Sequence, residues 1–138
     1  MGNDETDLAE RILDSVADAV IFADRQGAIR RWNRASAELF GFSAEEARGQ
    51  SLDLIIPEHL RPAHWRGFDA AMASGALKLA GRPTLTRAQA KSGRKLYVEL
   101  TFALVAGAAS PEGAVAMARD VTGRVEQERA RAKSTSAA

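Results

Sequence analysis

The chain has 138 residues, a formal net charge of +1 and no cysteine, and 46% of its residues are apolar. This describes one domain able to bury its own core, and it excludes disulfides, thiol catalysis, cysteine-ligated zinc and a flavin–cysteinyl adduct. It also provides no overall basic field, so nucleic acid is not an expected partner. No apolar run approaches the roughly 20 residues that span a bilayer. The acidic start, MGNDETDLAE, lacks the basic and apolar regions of a signal peptide. No membrane association is expected, and the expected compartment is the cytoplasm.

Thr6 or Asp7 caps a first helix reaching about Val16, with Leu8, Ile12 and Leu13 on one face. Ala19 to Ala23 alternates as a strand, and Asp24-Arg25-Gln26-Gly27 supplies turn chemistry, with Gly27 free to take positive φ. Ala28 to Trp32 is a second short strand. Asn33 caps a helix that turns Ala37, Leu39 and Phe40 inward, and Gly41 ends it. Ser43-Ala44-Glu45-Glu46 is a capping box for the next helix. After Ser51 to Ile56, Pro57 opens a long helix over Glu58 to Ser74, with Pro62 making its first turn irregular and Gly75 stopping it.

Two long strands follow. The first runs from Leu79 to Ala90 and turns at Lys91-Ser92-Gly93-Arg94. The second, Lys95 to Val105, sets Leu96, Val98, Leu100, Phe102 and Leu104 on one face. A turn around Ser110-Pro111-Glu112-Gly113 leads to a last strand, Ala114 to Asp120. From Val121 the chain becomes polar and helix-prone, with i,i+3 and i,i+4 charge pairs, and it frays after about Lys133. Two strands, several helices and then three strands make an α+β fold with helices gathered on one face of an antiparallel sheet.

Four places carry a family likeness between Leu13 and Glu128. They are Asn33-Arg34-Ala35 with Leu39-Phe40-Gly41-Phe42, then Ile55-Ile56-Pro57-Glu58, then Lys91-Ser92-Gly93, and finally Arg119-Asp120-Val121-Thr122. In this order and at these separations the chain resembles a PAS domain, a small sensory fold. The resemblance implies a five-stranded antiparallel sheet in a core over residues 18–121. It also implies an N-terminal flanking helix over 1–17 and a C-terminal signalling helix with a frayed tail over 122–138. It implies a signal-transduction module rather than an enzyme, of the kind found in two-component systems. Asp120 and Thr122 would fix how the sheet meets the outgoing helix, which would lead to an effector domain or partner signalling protein. Leu8, Ile12 and Leu13 exceed the apolar content of a free surface helix, and a homodimer through this helix is expected.

His64, Phe68, Ala71 and Gly75 recur at i, i+4, i+7 and i+11, so His64 belongs to an apolar helical stripe. A neutral imidazole there can ligate a haem iron. In the oxygen-sensing PAS domain of rhizobial nitrogen-fixation histidine kinases, a histidine on this helix holds haem b. His64 is the residue that matches. The resemblance then completes the candidate cofactor site with Phe68, Leu79, Thr84, Leu100 and Phe102. Thr84 stands where that family places an arginine for bound oxygen, with Arg82 and Arg87 nearby, so oxygen, carbon monoxide, nitric oxide and redox sensing all stay open. A noncovalent flavin is also compatible. The other reading is a cofactor-free interaction and dimerisation module, in which His64 is an ordinary half-buried residue. His59 lies about 140° round a helix from His64, so the two do not face one ligand. Trp32 and Trp65 read as structural. There is no glycine-rich phosphate loop, HExxH or nucleophile elbow, and no enzyme activity is expected.

Overall fold

The computed structural model describes residues 3–77 and 81–137. Leu79 lies outside the described residues, as does the start of the strand expected from it.

The first helix, α1 (Asn3–Ser15), begins ahead of the expected Thr6 or Asp7 cap. Strands β1 (Ala19–Asp24) and β2 (Ile29–Trp32) follow. Their turn is held by Asp24, whose Oδ1 accepts from the N–H groups of Gln26 and Ala28 while Oδ2 pairs with Arg30 at 2.7 Å. Gly27 takes φ +79° there. Helix α2 (Arg34–Phe40) starts at the Asn33 cap and stops at Gly41, whose φ is +82°. Helix α3 (Ala44–Ala47) opens with the Ser43–Glu46 capping box. The long helix, α4 (Arg61–Ser74), is preceded by a separate 3-10 turn at Glu58–Leu60, as Pro62 requires, and ends at Gly75.

Three further strands complete the sheet: β3 (Thr84–Gln89), β4 (Lys95–Val105) and β5 (Gly113–Asp120). The strand expected from Leu79 is described only from Thr84, just after Pro83, which has no N–H to give a ladder. The last helix, α5 (Thr122–Ala137), continues past Lys133, where the sequence suggests fraying. The strand order is β2-β1-β5-β4-β3, and every neighbouring pair is antiparallel.

Pairing in register sorts the strands into two faces. Ala19 and Ile21 of β1 sit opposite Ala118 and Ala116 of β5, which in turn meet Leu100 and Phe102 of β4. Leu96, Val98 and Leu100 of β4 meet Ala88, Thr86 and Thr84 of β3. This inner face packs with Ile29, Trp32, Phe40 and Ala47 into the main core, and Phe40 is also ring-packed on Trp32 with centroids 5.5 Å apart. The side chains of Phe68, Ala71 and Met72 on α4 are buried too, but they lie apart from that cluster. Helices α2 and α3 supply side chains to this inner-face core, and α4 is set beside the β1–β2 turn through Trp65. Helix α5 turns back to the outer face, where Arg129 lies over the ring of Tyr97.

Candidate functional site

Helix α4 is placed by its own side chains and by the chain ahead of it. The 3-10 turn Leu52–Leu54 is stitched to the β1–β2 turn by Leu52 N–H donating to Gly27 O, and its following residue Ile55 accepts from Gln89 N–H at the end of β3. Arg61 reaches back to donate to the carbonyls of Ile56 and Asp53. Trp65 Nε1 donates to Asp53 Oδ1 at 2.8 Å, and its six-membered ring covers Gly27 so closely that a Cβ there would overlap Cη2 and Cζ3. Trp65 is therefore a strut between α4 and the β1–β2 turn, which is the structural reading of that residue.

His64 sits beside this strut. Its ring meets Trp65 edge-on at 4.6 Å between centroids and stacks on Phe68 at 6.0 Å, while Trp65 and Phe68 meet at 5.3 Å. Nδ1 of His64 is buried and has no hydrogen-bond partner among the described residues. Burial holds the imidazole below its usual value of 6.5, and the carboxylates of Asp53 and Asp69 pull more weakly the other way. The neutral ring that results is the form that binds a metal. His59 is exposed in the 3-10 turn before α4.

The sequence-predicted site residues fall into separate places. His64 and Phe68 are in ring contact on α4. Thr84 and Leu100 are neighbours across β3 and β4 on the inner face, both half-buried. Phe102 lines a third place, an open cavity of about 700 Å³ with Gly75, Leu77, Gly81, Leu104 and Met117 among its walls. That cavity forms where β4 runs on beyond its last pairing with β3, at Leu100. Gly75 is eleven residues along the chain from His64, about 16 Å of helix rise. Neither this cavity nor a smaller one of about 120 Å³ around Asp18, Glu99 and Arg119 is lined by His64. Arg87 projects to the outer face beside Tyr97, away from Thr84. No group of three or more histidine, aspartate or glutamate side chains able to hold a metal ion occurs among the described residues.

The junction with the outgoing helix is built from Asp120 and Thr122. Asp120 Oδ1 accepts from the N–H of Thr122 at 2.9 Å and from its hydroxyl at 2.6 Å. Thr122 is 4% exposed, and its Oγ1 also accepts from Tyr97 N–H at 3.0 Å. Just ahead of it, Arg119 makes a two-pronged pair with Asp18 at 3.2 and 3.3 Å, which raises the pKa of the guanidinium. On α1, Leu8 and Ile12 are exposed at 48% and 53%, and Leu13 is half-buried.

Two residues do more than sequence reasoning assigns them. Asn33 is read there as a helix cap. It also accepts from Val20 N–H through Oδ1 and donates through Nδ2 to the carbonyls of Leu13 and Asp18. One buried amide thereby ties α1, β1 and α2 together. Tyr97 escapes notice altogether. The available signal is an aromatic on the solvent-side alternation of the clearest strand, flanked by charged residues.

An antiparallel sheet in the order 2-1-5-4-3, with short helices packed on its inner face and one longer helix beside the β1–β2 turn, defines a PAS-type sensory domain. The chain belongs to the PAS family: the family model described as PAS fold matches residues 13–126. Among curated proteins, the oxygen sensor protein DosP of Escherichia coli is 29% identical over 99 residues, which is 70% of this chain and 12% of that protein. The sensor protein FixL of Bradyrhizobium diazoefficiens is 40% identical over 53 residues, 38% of this chain and 10% of that protein. The chain thus spans about a tenth of the length of the curated relatives it matches. Among solved structures, the PAS domain of a Colwellia psychrerythraea protein superposes with a TM-score of 0.74 at 25% identity, covering 87% of this chain and 99% of that one. No helix among the described residues is long and apolar enough to cross a membrane.

Proposed function

We propose that this PAS module binds a small ligand or cofactor under α4, with haem b held through His64 as the leading case, and relays its state through α5. The observation that carries the reading is the buried Nδ1 of His64, left without a hydrogen-bond partner among the described residues and set beside an aromatic stripe. A buried polar atom without a partner costs about 1–3 kcal/mol, so a retained one calls for an explanation. An imidazole kept neutral by burial has the donor chemistry that a haem iron takes. Phe68 supplies an apolar surface beside it, and the buried α4 residues stand apart from the main core, so a ligand there would not disrupt that core. The iron would supply gas binding or redox change, and His64 would hold it. Similarity to proteins named as an oxygen sensor and a sensor protein supports the same reading. Asp120 and Thr122 would pass the change to α5 and on to an effector domain or partner protein.

Titration of the purified protein with hemin, followed by absorption, tests this. A Soret band is expected on addition and should be lost or shifted in His64→Ala. No band, or the same spectrum in both proteins, overturns the haem assignment. A second reading, a cofactor-free interaction and dimerisation module, rests on the exposed Leu8 and Ile12 of α1. A colourless protein that associates through α1 favours it.

A further inference from the structure

Strand β3 is an edge of the sheet, because the order β2-β1-β5-β4-β3 gives it a neighbour on one side only. Its backbone groups alternate between that neighbour and the open side. Ala90 N–H donates across the hairpin to Arg94 O, whereas Gln89 N–H points the other way and donates to Ile55 O at 2.9 Å. The N–H and C=O groups of Arg87 and Leu85, two and four residues back, therefore point to the open side as well. They meet no partner there among the described residues. Leu85 is 54% exposed. Around it Arg82, Arg94 and Lys95 are exposed, and none of the three is in an ion pair among the described residues. Arg87 has the ring of Tyr97 at 5.7 Å, and its Nε is buried without a partner among the described residues. Glu99, the carboxylate opposite Leu85 in the ladder, is already paired with Arg124 at 3.6 Å.

We propose that the β3 edge takes an extended, acidic segment of a partner protein as a further strand of the sheet. The main-chain groups of Leu85 and Arg87 supply the ladder. On the outer face the incoming strand sets an apolar residue beside Leu85 and, two positions away, a carboxylate beside Arg87. Arg82 at one end and Lys95 at the other extend the same positive edge, which favours an acidic segment. A second copy of this chain is disfavoured, since its edge carries the same cations and the two would repel. The surface uses no residue of α4 and needs nothing bound there. Its failure therefore leaves the hemin test untouched, and the failure of that test leaves this surface standing.

Fluorescence anisotropy on the whole 138-residue chain, with no hemin added, tests the edge. The probe is a fluorescein-labelled peptide, Thr-Leu-Thr-Glu repeated twice, which puts leucine and glutamate two apart on one side of a strand. It is expected to bind, and to bind more weakly as salt rises. N-methylation of its leucines and glutamates removes the donors that face β3 and should abolish binding, as should lysine in place of glutamate. Arg87→Gln should weaken binding about tenfold, the factor one charge-assisted hydrogen bond supplies. Leu85→Glu, at an exposed position, should weaken it at least as much. No binding, equal binding of the N-methylated or the lysine peptide, or parent affinity in both variants overturns the proposal and leaves the cations as guards against self-pairing. If Arg87→Gln disturbs the strand itself, Leu85→Glu decides.

Discussion

Gly27→Ala tests how α4 is fixed to the β1–β2 turn, because two costs meet at that position. The first is conformational: Gly27 has φ +79°, and a residue with a Cβ pays about 1–2 kcal/mol in the left-handed region. The second is steric. A methyl group at Gly27 would overlap the Trp65 ring, so the ring must swing off the turn. That movement breaks the Nε1 bond to Asp53 and loosens the contacts of Trp65 with His64 and Phe68, a loss of about 1–2 kcal/mol at a half-buried site. Together these come to about 2–4 kcal/mol. At roughly 2.1 cal/mol/K of unfolding entropy per residue, a chain of this length should lose about 7–14 °C in Tm. Thermal unfolding followed by circular dichroism measures the loss. The same substitution in a Trp65→Leu background isolates the conformational part, so there it should cost only about 1–2 kcal/mol. Equal costs in the two backgrounds would refute the strut, since Trp65 would then not be resting on Gly27.

Asn33→Ala should cost about 2–4 kcal/mol in chemical denaturation, because it strands buried N–H groups of Val20 and Ser36 and frees the end of α1. Asn33→Asp keeps the acceptor for Val20 and Ser36 but sets a carboxylate oxygen against the carbonyls of Leu13 and Asp18, so its damage should fall at the end of α1; amide exchange at Val20 and Ser36 as fast as in the alanine variant would contradict the assignment of the two amide ends. The lowered pKa of His64 means that below its unfolded value of 6.5 the unfolded chain takes up the proton more readily than the folded one. Its contribution to stability is therefore complete above that value and declines as pH falls from it toward the lower folded value. His64→Phe should flatten the fall of Tm between about pH 7 and pH 5, and an identical slope in the variant would remove His64 as its cause. Asp24 and Glu46 act in a separate, more acid window. Their carboxyls are held below 3.8 and 4.5, so their contributions persist above those values and are lost as pH drops through the still lower folded ones. For Asp24 the hydrogen bonds from Arg30, Ala28 and Gln26 outweigh the upward push of burial, and for Glu46 the ammonium of Lys91 is the chief cause. Finally, light scattering at about tens of micromolar should find a dimer that Ile12→Glu converts to a monomer; a monomeric parent would end the dimer reading.

The parts of this fold legible in the sequence are those fixed by local chemistry. Asn33, Gly41, the Ser43–Glu46 box and Gly75 each satisfy or terminate backbone groups within a few residues of themselves, so their roles can be read off the chain. The alternation from Leu96 to Leu104 likewise declares its inner face. Contacts over long separations are less visible. Nothing near Trp65 in the sequence announces that it covers Gly27, and nothing near Tyr97 announces that Arg129 will lie on its ring. The candidate site shows the same limit. The stripe of His64 and Phe68 follows from helical spacing, but spacing on α4 carries no information about which strand residues it approaches. Thr84 with Leu100 and Phe102 at the open cavity occupy places of their own.

The pairing of Ala19 with Ala118, reinforced by Asp18 and Arg119, puts the exit of α1 and the entrance of α5 side by side on the two adjoining strands β1 and β5. The two flanking helices thus join the sheet along one line. A twist applied to the root of α1 need not travel through the ligand-side interior to reach α5. It crosses a single row of ladder hydrogen bonds and one ion pair. On the function proposed above, a change that reaches this row would act on both flanking helices together rather than in sequence.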